Sequence, residues 1–252
     1  MKPLISTILT VFLGCMAAGQ AVMTPETKLE PLRFPPQLRA NIKALGDRFQ
    51  KPGSERAVLV GTVADGRGRS SIIVTHELPG KVRIDRGGGR SLGFDGASNW
   101  ASDNKVSEQD EDLLEALLED SPEGMFTRLS AGFALRLLGI HMRMDDGKAA
   151  QYAGPWADVY QVVGKIPSRS SQPIRQKHYY FDSHTHLLSE VTYIVKGTTG
   201  VQLKRSVWTN VAGQMIPTSI IRVENGQAVL TVQIASVSFG PPVADNIFSP
   251  GH

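Results

Sequence analysis

The stretch that decides the fold is residues 177–208, which read KHYYFDSHTHLLSEVTYIVKGTTGVQLKRSVW. It alternates strand-like runs with clusters of turn-forming residues, and in order these segments are 179–181, 182–186, 187–195, 197–200 and 201–208. Short runs of alternating apolar residues bounded by Asp, Ser and Gly are typical of β-hairpins. The stretch therefore predicts two consecutive hairpins in an antiparallel sheet.

Similar runs occur on both sides of this stretch. The further strands predicted are 56–63, 69–77, 81–85, 90–94, 99–102, 140–144, 158–165, 215–223 and 228–238. Turn signals such as Pro79-Gly80 and Asn225-Gly226 separate many of them. About ten to twelve strands result, which is within what one curled sheet can hold. We therefore expect a mainly β protein with a strongly curved antiparallel sheet.

Three segments have helical rather than strand periodicity. Near the N-terminus, Leu38, Ile42, Leu45 and Phe49 form one apolar stripe that ends near residues 51–53. We expect this helix to dock on the sheet.

The other two helices lie next to each other in mid-chain. Ser107 and Asp110 have the spacing of a capping box at the start of the first, which carries a leucine-rich face. The second is predicted to begin at Ser121-Pro122 and to continue through Phe133 and Leu137 to Gly139. A helix pair is thus inserted into a β protein.

The composition and net charge give no indication of nucleic-acid binding. Of the 252 residues 41% are hydrophobic and 20% are charged, which is typical of a soluble globular protein. The formal net charge of +3 is too small to indicate nucleic-acid binding. We expect a monomer.

The first 21 residues have the pattern of an export signal. Lys2 precedes an apolar run at 4–18, and small residues precede a cleavage site after Ala21. An alternative places an acylated N-terminus at Cys15, the single cysteine of the chain. Residues 22–36 contain four prolines and predict a linker. The expected organisation is a signal peptide at 1–21, this linker, one domain at 37–252, and a periplasmic location.

Catalytic motifs are absent from the sequence. It has no G-x-S-x-G, H-E-x-x-H or Walker-type loop, and Cys15 would be lost with the signal peptide. Asp182, His184 and His186 could approach one metal ion, but we favour an exposed hairpin tip. The acidic residues between 108 and 120 are interpreted as a solvated helix face. We expect no enzyme activity, no metal and no cofactor.

Three short motifs resemble the LolA-like superfamily of exported lipoprotein-sorting and hydrophobe-carrying proteins. They are FDGASNW at 94–100, YFDSHTHLL at 180–188 and DNIFSP at 245–250. His186 stands where the family hairpin commonly has Gly, and the arginine that engages the lid in known carriers is not located by the sequence.

The resemblance implies an unclosed half-barrel whose mid-chain helix pair covers an apolar cavity as a lid. It implies a carrier that binds a lipid, a lipoprotein acyl chain or another hydrophobic ligand without chemistry, with membrane-associated donor or acceptor proteins as further partners. The alternative is an envelope sensor or protein-interaction module with a self-filled cavity. If the chain is a carrier, the ligand-binding residues expected on the lid are Leu113, Leu114, Leu117, Leu118, Met125, Phe126 and Leu129.

Overall fold

The structure is a computed structural model that describes residues 38–46, 53–78, 80–130, 134–142, 156–166 and 174–250. The predicted signal peptide, the alternative anchor at Cys15 and the Pro-rich linker lie outside the described residues. Within the described part, no helix is long and apolar enough to cross a membrane.

The described residues form one sheet of twelve antiparallel strands. The strands are β1 (Arg56–Asp65), β2 (Gly68–Glu77), β3 (Lys81–Arg86), β4 (Arg90–Phe94), β5 (Asn99–Ala101), β6 (Ala134–Met142), β7 (Trp156–Ile166), β8 (Ile174–Asp182), β9 (Leu188–Val195), β10 (Thr199–Val211), β11 (Gln214–Glu224) and β12 (Gln227–Gly240). The order across the sheet is β5-β4-β3-β2-β1-β12-β11-β10-β9-β8-β7-β6. β5 and β6 are its two edges, and the sheet is not closed into a barrel.

One face of the sheet is apolar because side chains alternate between the two faces along each strand. In β3, Val82 and Ile84 are buried whereas Lys81, Arg83 and Asp85 are partly exposed. The same alternation gives β8 and β10 an inner face with Tyr179, Phe181, Val201 and Leu203 buried. The predicted hairpins of residues 177–208 are therefore confirmed, with β8, β9 and β10 paired in sequence order.

The helices are short and lie against this sheet. α1 (Arg39–Leu45) has its N-cap residue, Leu38, and its last residue, Leu45, buried in the core. α2 (Glu108–Leu114) continues directly into a π-helical turn, Glu115–Glu119, and α3 (Pro122–Ser130) follows. A 3₁₀ turn, Asp245–Phe248, buries Phe248 near the end of the described chain. The segment from α2 to α3 connects β5 to β6, so it joins the two edges of the open sheet.

The predicted boundaries of two helices are wrong. α1 ends at Leu45, where Gly46 adopts a φ of 102°, and Phe49 lies outside the described residues. α3 ends at Ser130, and the segment predicted to carry the helix to Gly139 begins strand β6 at Ala134 instead. That segment is rich in Leu, Ala and Arg, which favour helices, but its backbone pairs with β7 from Ala134 to Met142. Strand pairing outweighs helix propensity here.

Candidate functional site

The apolar side of the helix pair lies in the protein core. Leu113, Leu114, Met125 and Phe126 have no exposed surface, and Leu118 is buried as well. Leu117 is only partly buried and packs at the margin of the same cluster. α3 includes Leu129, but its side chain is outside the described part. The described residues among those predicted from sequence to form a lid are thus brought together in the core.

A local hydrogen-bond pattern explains why the helix pair turns sharply between its two halves. The Ser121 hydroxyl donates to the Leu118 carbonyl (2.7 Å) and accepts from the Gly124 amide (2.9 Å). A Cβ atom on Gly124 would lie 2.3 Å from the Leu118 oxygen, so this position requires glycine. The π-helical turn before it is a rare element that is frequent at functional sites.

The start of α2 is fixed by a buried carboxylate. The predicted capping box is confirmed: the Ser107 amide donates to Asp110 Oδ2 (2.9 Å), and the Asp110 amide donates to Ser107 Oγ (3.3 Å). Arg67 and Arg90 each donate to Asp110 Oδ1 at 2.7 Å. Burial raises the pKa of Asp110, but the hydrogen bonds from Arg90, Ser107 and Arg67 outweigh it, and the pKa lies well below its ordinary value. Asp110 therefore holds α2 to β4 and to the β1–β2 turn.

A second set of charges is buried where the π-helical turn meets the inner face of the sheet. Lys177 on β8 is fully buried, and its Nζ donates to Glu115 (2.9 Å) and to Asp120 (2.5 Å). Arg222 on β11 donates to the other Glu115 oxygen (2.9 Å) and lies 3.1 Å from Asp112. Each cation comes from a strand, and each of these carboxylates comes from the helical segment.

Tyr193 and Arg205 complete this cluster. Lys177 Nζ lies 4.1 Å from the Tyr193 ring centroid, and the Tyr193 hydroxyl accepts from Arg222 (3.0 Å). Arg205 Nη2 donates to the Ala116 carbonyl (3.0 Å) inside the π-helical turn. Its Nη1 is buried and has no hydrogen-bond partner among the described residues. We refer to Lys177, Arg205, Arg222, Tyr193, Glu115 and Asp120 as the buried charge cluster.

The interpretation of the acidic residues as a solvated helix face is therefore wrong for three of them. Asp110 and Asp120 have no exposed surface and Glu115 has 5%, whereas Glu108 stays exposed and pairs with Lys196. The sequence of the helix shows only its own acids. The arginines and the lysine that pair with them lie far away in the chain, and this pairing makes burial of the acids tolerable.

The environment shifts the pKa values of two carboxylates in opposite directions. Burial raises the pKa of Glu115, but the charges of Lys177 and Arg222 outweigh burial and hold it well below its ordinary value. Burial raises the pKa of Asp112 to about 6, and the attraction of Arg222 does not offset it because other carboxylates lie nearby. Asp112 lines a small groove beside the cluster, together with Val195, Lys196 and Glu224. Burial thus brings the pKa of Asp112 closer to neutral pH than its ordinary value.

The hairpin tip that carries His184 and His186 is a turn. The carboxylate of Asp182 accepts from the amides of His184 (3.0 Å) and Thr185 (2.7 Å), so it stabilises the turn. His186 has a φ of 59°, the left-handed conformation that favours glycine. Its carbonyl accepts from the buried Asn41 on α1 (3.1 Å). The described residues contain no group of three or more His, Cys, Asp or Glu placed to hold a metal ion.

The open sheet with its helix pair resembles the fold of a solved LolA superfamily protein, so the resemblance inferred from the sequence motifs is confirmed at the level of fold. A LolA superfamily protein from Nitrosomonas europaea superposes with a TM-score of 0.51 at 11% identity, over 83% of this chain and 96% of that protein. A DUF1329 family protein from Desulfovibrio piger superposes with a TM-score of 0.52 at 9% identity, over 87% and 98%. No protein-family model and no curated protein sequence matches the chain.

Proposed function

We propose that this protein is an exported carrier that binds the hydrophobic part of a lipid, lipoprotein acyl chain or similar ligand beneath its helix pair, without catalysing a reaction. The observation that carries the proposal is the position of the helix pair. Four of its apolar side chains, those of Leu113, Leu114, Met125 and Phe126, are fully buried in the core of an unclosed sheet. The LolA-type fold supports the same conclusion.

The mechanism is an exchange of apolar contacts. A ligand that displaces Leu113, Leu114, Met125 and Phe126 from the sheet takes over the inner face that they cover. Removal of apolar ligand surface from water favours uptake by about 25 cal/mol per Å². The lost helix contacts oppose uptake, so affinity stays moderate and the ligand can be released to an acceptor.

The remaining parts of the proposal concern the cell. Residues 1–21 direct export to the periplasm, residues 22–36 link the signal to the domain at 37–252, and acylation at Cys15 is the alternative. Membrane-associated proteins serve as donor or acceptor, and the carrier acts as a monomer.

The competing function is an envelope sensor or interaction module in which the helix pair is permanent core. The same buried leucines favour it, because they leave the inner face occupied by the protein itself. The two functions differ in whether the helix pair must move.

A covalent cross-link that holds the helix pair on the sheet tests this difference. Glu108 on α2 and Lys196 on the β9–β10 turn form an exposed salt bridge, so both can be replaced without disturbing the core. In a Cys15→Ser background, the Glu108→Cys/Lys196→Cys variant is joined with a short bismaleimide, and uptake of the neutral probe N-phenyl-1-naphthylamine is measured by fluorescence. We expect at least tenfold weaker uptake after cross-linking. Each single-cysteine variant treated with the same reagent serves as a control, and unchanged uptake in the locked protein would support the interaction module.

A further inference from the structure

The inner face of the sheet carries three buried cations, and most of the carboxylates that pair with them in the described residues belong to the helix pair. Lys177 on β8, Arg205 on β10 and Arg222 on β11 are all at least 96% buried, at 0%, 4% and 2% exposure. Among the described strands, the carboxylate paired with this group is Glu224, which bonds Arg222 (2.8 Å). The other carboxylates, Asp112, Glu115 and Asp120, belong to the helical segment.

Movement of the helix pair would therefore separate these charges. Glu115 and Asp120 leave with the helical segment, and Lys177 loses its contacts with these two carboxylates. Arg205 loses its hydrogen bond to the Ala116 carbonyl. Its Nη1 lacks a hydrogen-bond partner among the described residues even while the helix pair lies on the sheet. The inner face would then expose cations that have lost these carboxylates, with Glu224 still beside Arg222.

A neutral ligand does not replace the lost carboxylates and should therefore bind more weakly than an anionic one. Its hydrocarbon would cover the cations and exclude water from them, and an ion buried without a partner is strongly disfavoured. An anionic group at one end of the ligand would replace the carboxylates that left. Arginine and lysine offer several N–H donors to such a group, and arginine can bind a carboxylate or phosphate through two parallel hydrogen bonds.

We propose that the ligand of this protein is an anionic amphiphile whose carboxylate or phosphate head group binds Lys177, Arg205 and Arg222 in place of Glu115 and Asp120. This inference rests on the proposed carrier function and specifies its ligand class. Glu115 and Asp120 then act as an internal mimic of the head group, which holds the helix pair down in the absence of ligand.

The test compares two probes that differ only in charge. cis-Parinaric acid carries a carboxylate at pH 8, and its methyl ester has the same chain and fluorophore without the charge. We expect the full-length protein to bind the acid at least tenfold more tightly than the ester. The Arg205→Gln variant should show a smaller preference for the acid, because Lys177 and Arg222 remain. Lys204→Gln, which removes a cation from the opposite face of the same strand, should retain the preference.

The outcomes separate this inference from the proposed function. Equal affinity of the wild-type protein for acid and ester would leave a carrier but overturn the anionic ligand. Binding of neither probe would overturn both. The wild-type comparison decides the question even if Arg205→Gln does not fold. Displacement of the bound acid by oleate alone would identify a carboxylate ligand, and displacement by dioleoyl phosphatidic acid would identify a phosphate ligand.

Discussion

The Lys177 ammonium on strand β8 lies 2.5 Å from the Asp120 carboxylate at the end of the π-helical turn, and neither side chain has any exposed surface. This contact and the Arg222–Glu115 pair hold the helix pair on the sheet by charge, in addition to its apolar contacts. Buried ion pairs are strongly destabilising when one partner is removed. An intact buried ion pair adds little to the free energy of unfolding, so such pairs suit a contact that must form and break.

Replacement of Lys177 should therefore be costly. We expect Lys177→Met to lower the free energy of unfolding by about 3–5 kcal/mol, because Asp120 and Glu115 remain buried beside a neutral side chain. Urea denaturation followed by circular dichroism measures the change. Lys204→Met, on the outer side of β10, is the control and should change stability by about 0.5 kcal/mol or less. A Lys177→Met variant as stable as the control would contradict the assignment of this contact.

The anchor of α2 should control the acid stability of the protein. The pKa of Asp110 lies well below its ordinary value of 3.8. Burial raises the pKa of Asp65, but the hydrogen bonds from Arg86 and Arg67 outweigh it and lower this pKa to about 2. Carboxylates with a lowered folded-state pKa stabilise the fold above the unfolded-state value, and this contribution is lost as pH falls through the folded-state value. The contribution of Asp110 and Asp65 to stability should thus be level between pH 7 and 5 and should fall below pH 4.

Asp110→Asn tests this assignment. The variant should lose about 3 kcal/mol at pH 7, because Arg67 and Arg90 lose a buried charged partner. Its stability should also fall less steeply than that of the wild type below pH 4. Asp103→Asn removes an exposed partner of Arg90 and should have little effect on either measurement. If the stability of Asp110→Asn and of the wild type fell equally steeply below pH 4, the role of Asp110 in acid stability would be contradicted.

Asp112 should have the opposite pH dependence. Its folded-state pKa of about 6 lies above its ordinary value of 3.8, so the folded state binds the extra proton between these values. The cost of ionising Asp112 in the fold is absent below pH 4, grows as pH rises toward 6 and is complete above 6. Asp112→Asn should stabilise the protein at pH 8 by about 1 kcal/mol and have no stabilising effect at pH 4. Thermal unfolding at both pH values measures this, and a stabilisation that is the same at both pH values would be evidence against a raised pKa.

Leu117 distinguishes a lid from an ordinary core helix. It is only partly buried at the margin of the core, whereas Leu114 on the same segment is fully buried. Leu117→Asp should lower the affinity for a hydrophobic probe at least tenfold while it costs about 1 kcal/mol of stability. Leu114→Asp should mainly destabilise the fold. Equal loss of binding and stability in Leu117→Asp would make this leucine part of the permanent core.

Sequence patterns predicted the sheet well because its strands are short, alternate in polarity and are separated by strong turn residues. The capping box at Ser107 was equally local and was predicted. The end of α3 was not predicted, because residues 134–139 favour a helix by composition and become a strand only by pairing with β7. Local patterns do not contain that partner.

The buried charge cluster was missed for a similar reason, although the sequence contains a signal for it. Lys177 stands two residues before Tyr179, Arg205 two after Leu203 and Arg222 two after Ile220, so each cation has the phase of a buried apolar residue. A charged residue at an inward-facing position of a strand requires a partner. The partner could not be identified from the sequence, because it depends on where the helix pair crosses the sheet.

The measurement that tests the carrier function most directly is native mass spectrometry of the protein purified without detergent from its own cell envelope. Organic extraction and lipid analysis would follow. We predict a reproducible bound species that is lost on unfolding and that has an apolar chain and an anionic head group. A clean ligand-free mass, together with no uptake of added fatty acid or phospholipid, would contradict the carrier function and favour the interaction module.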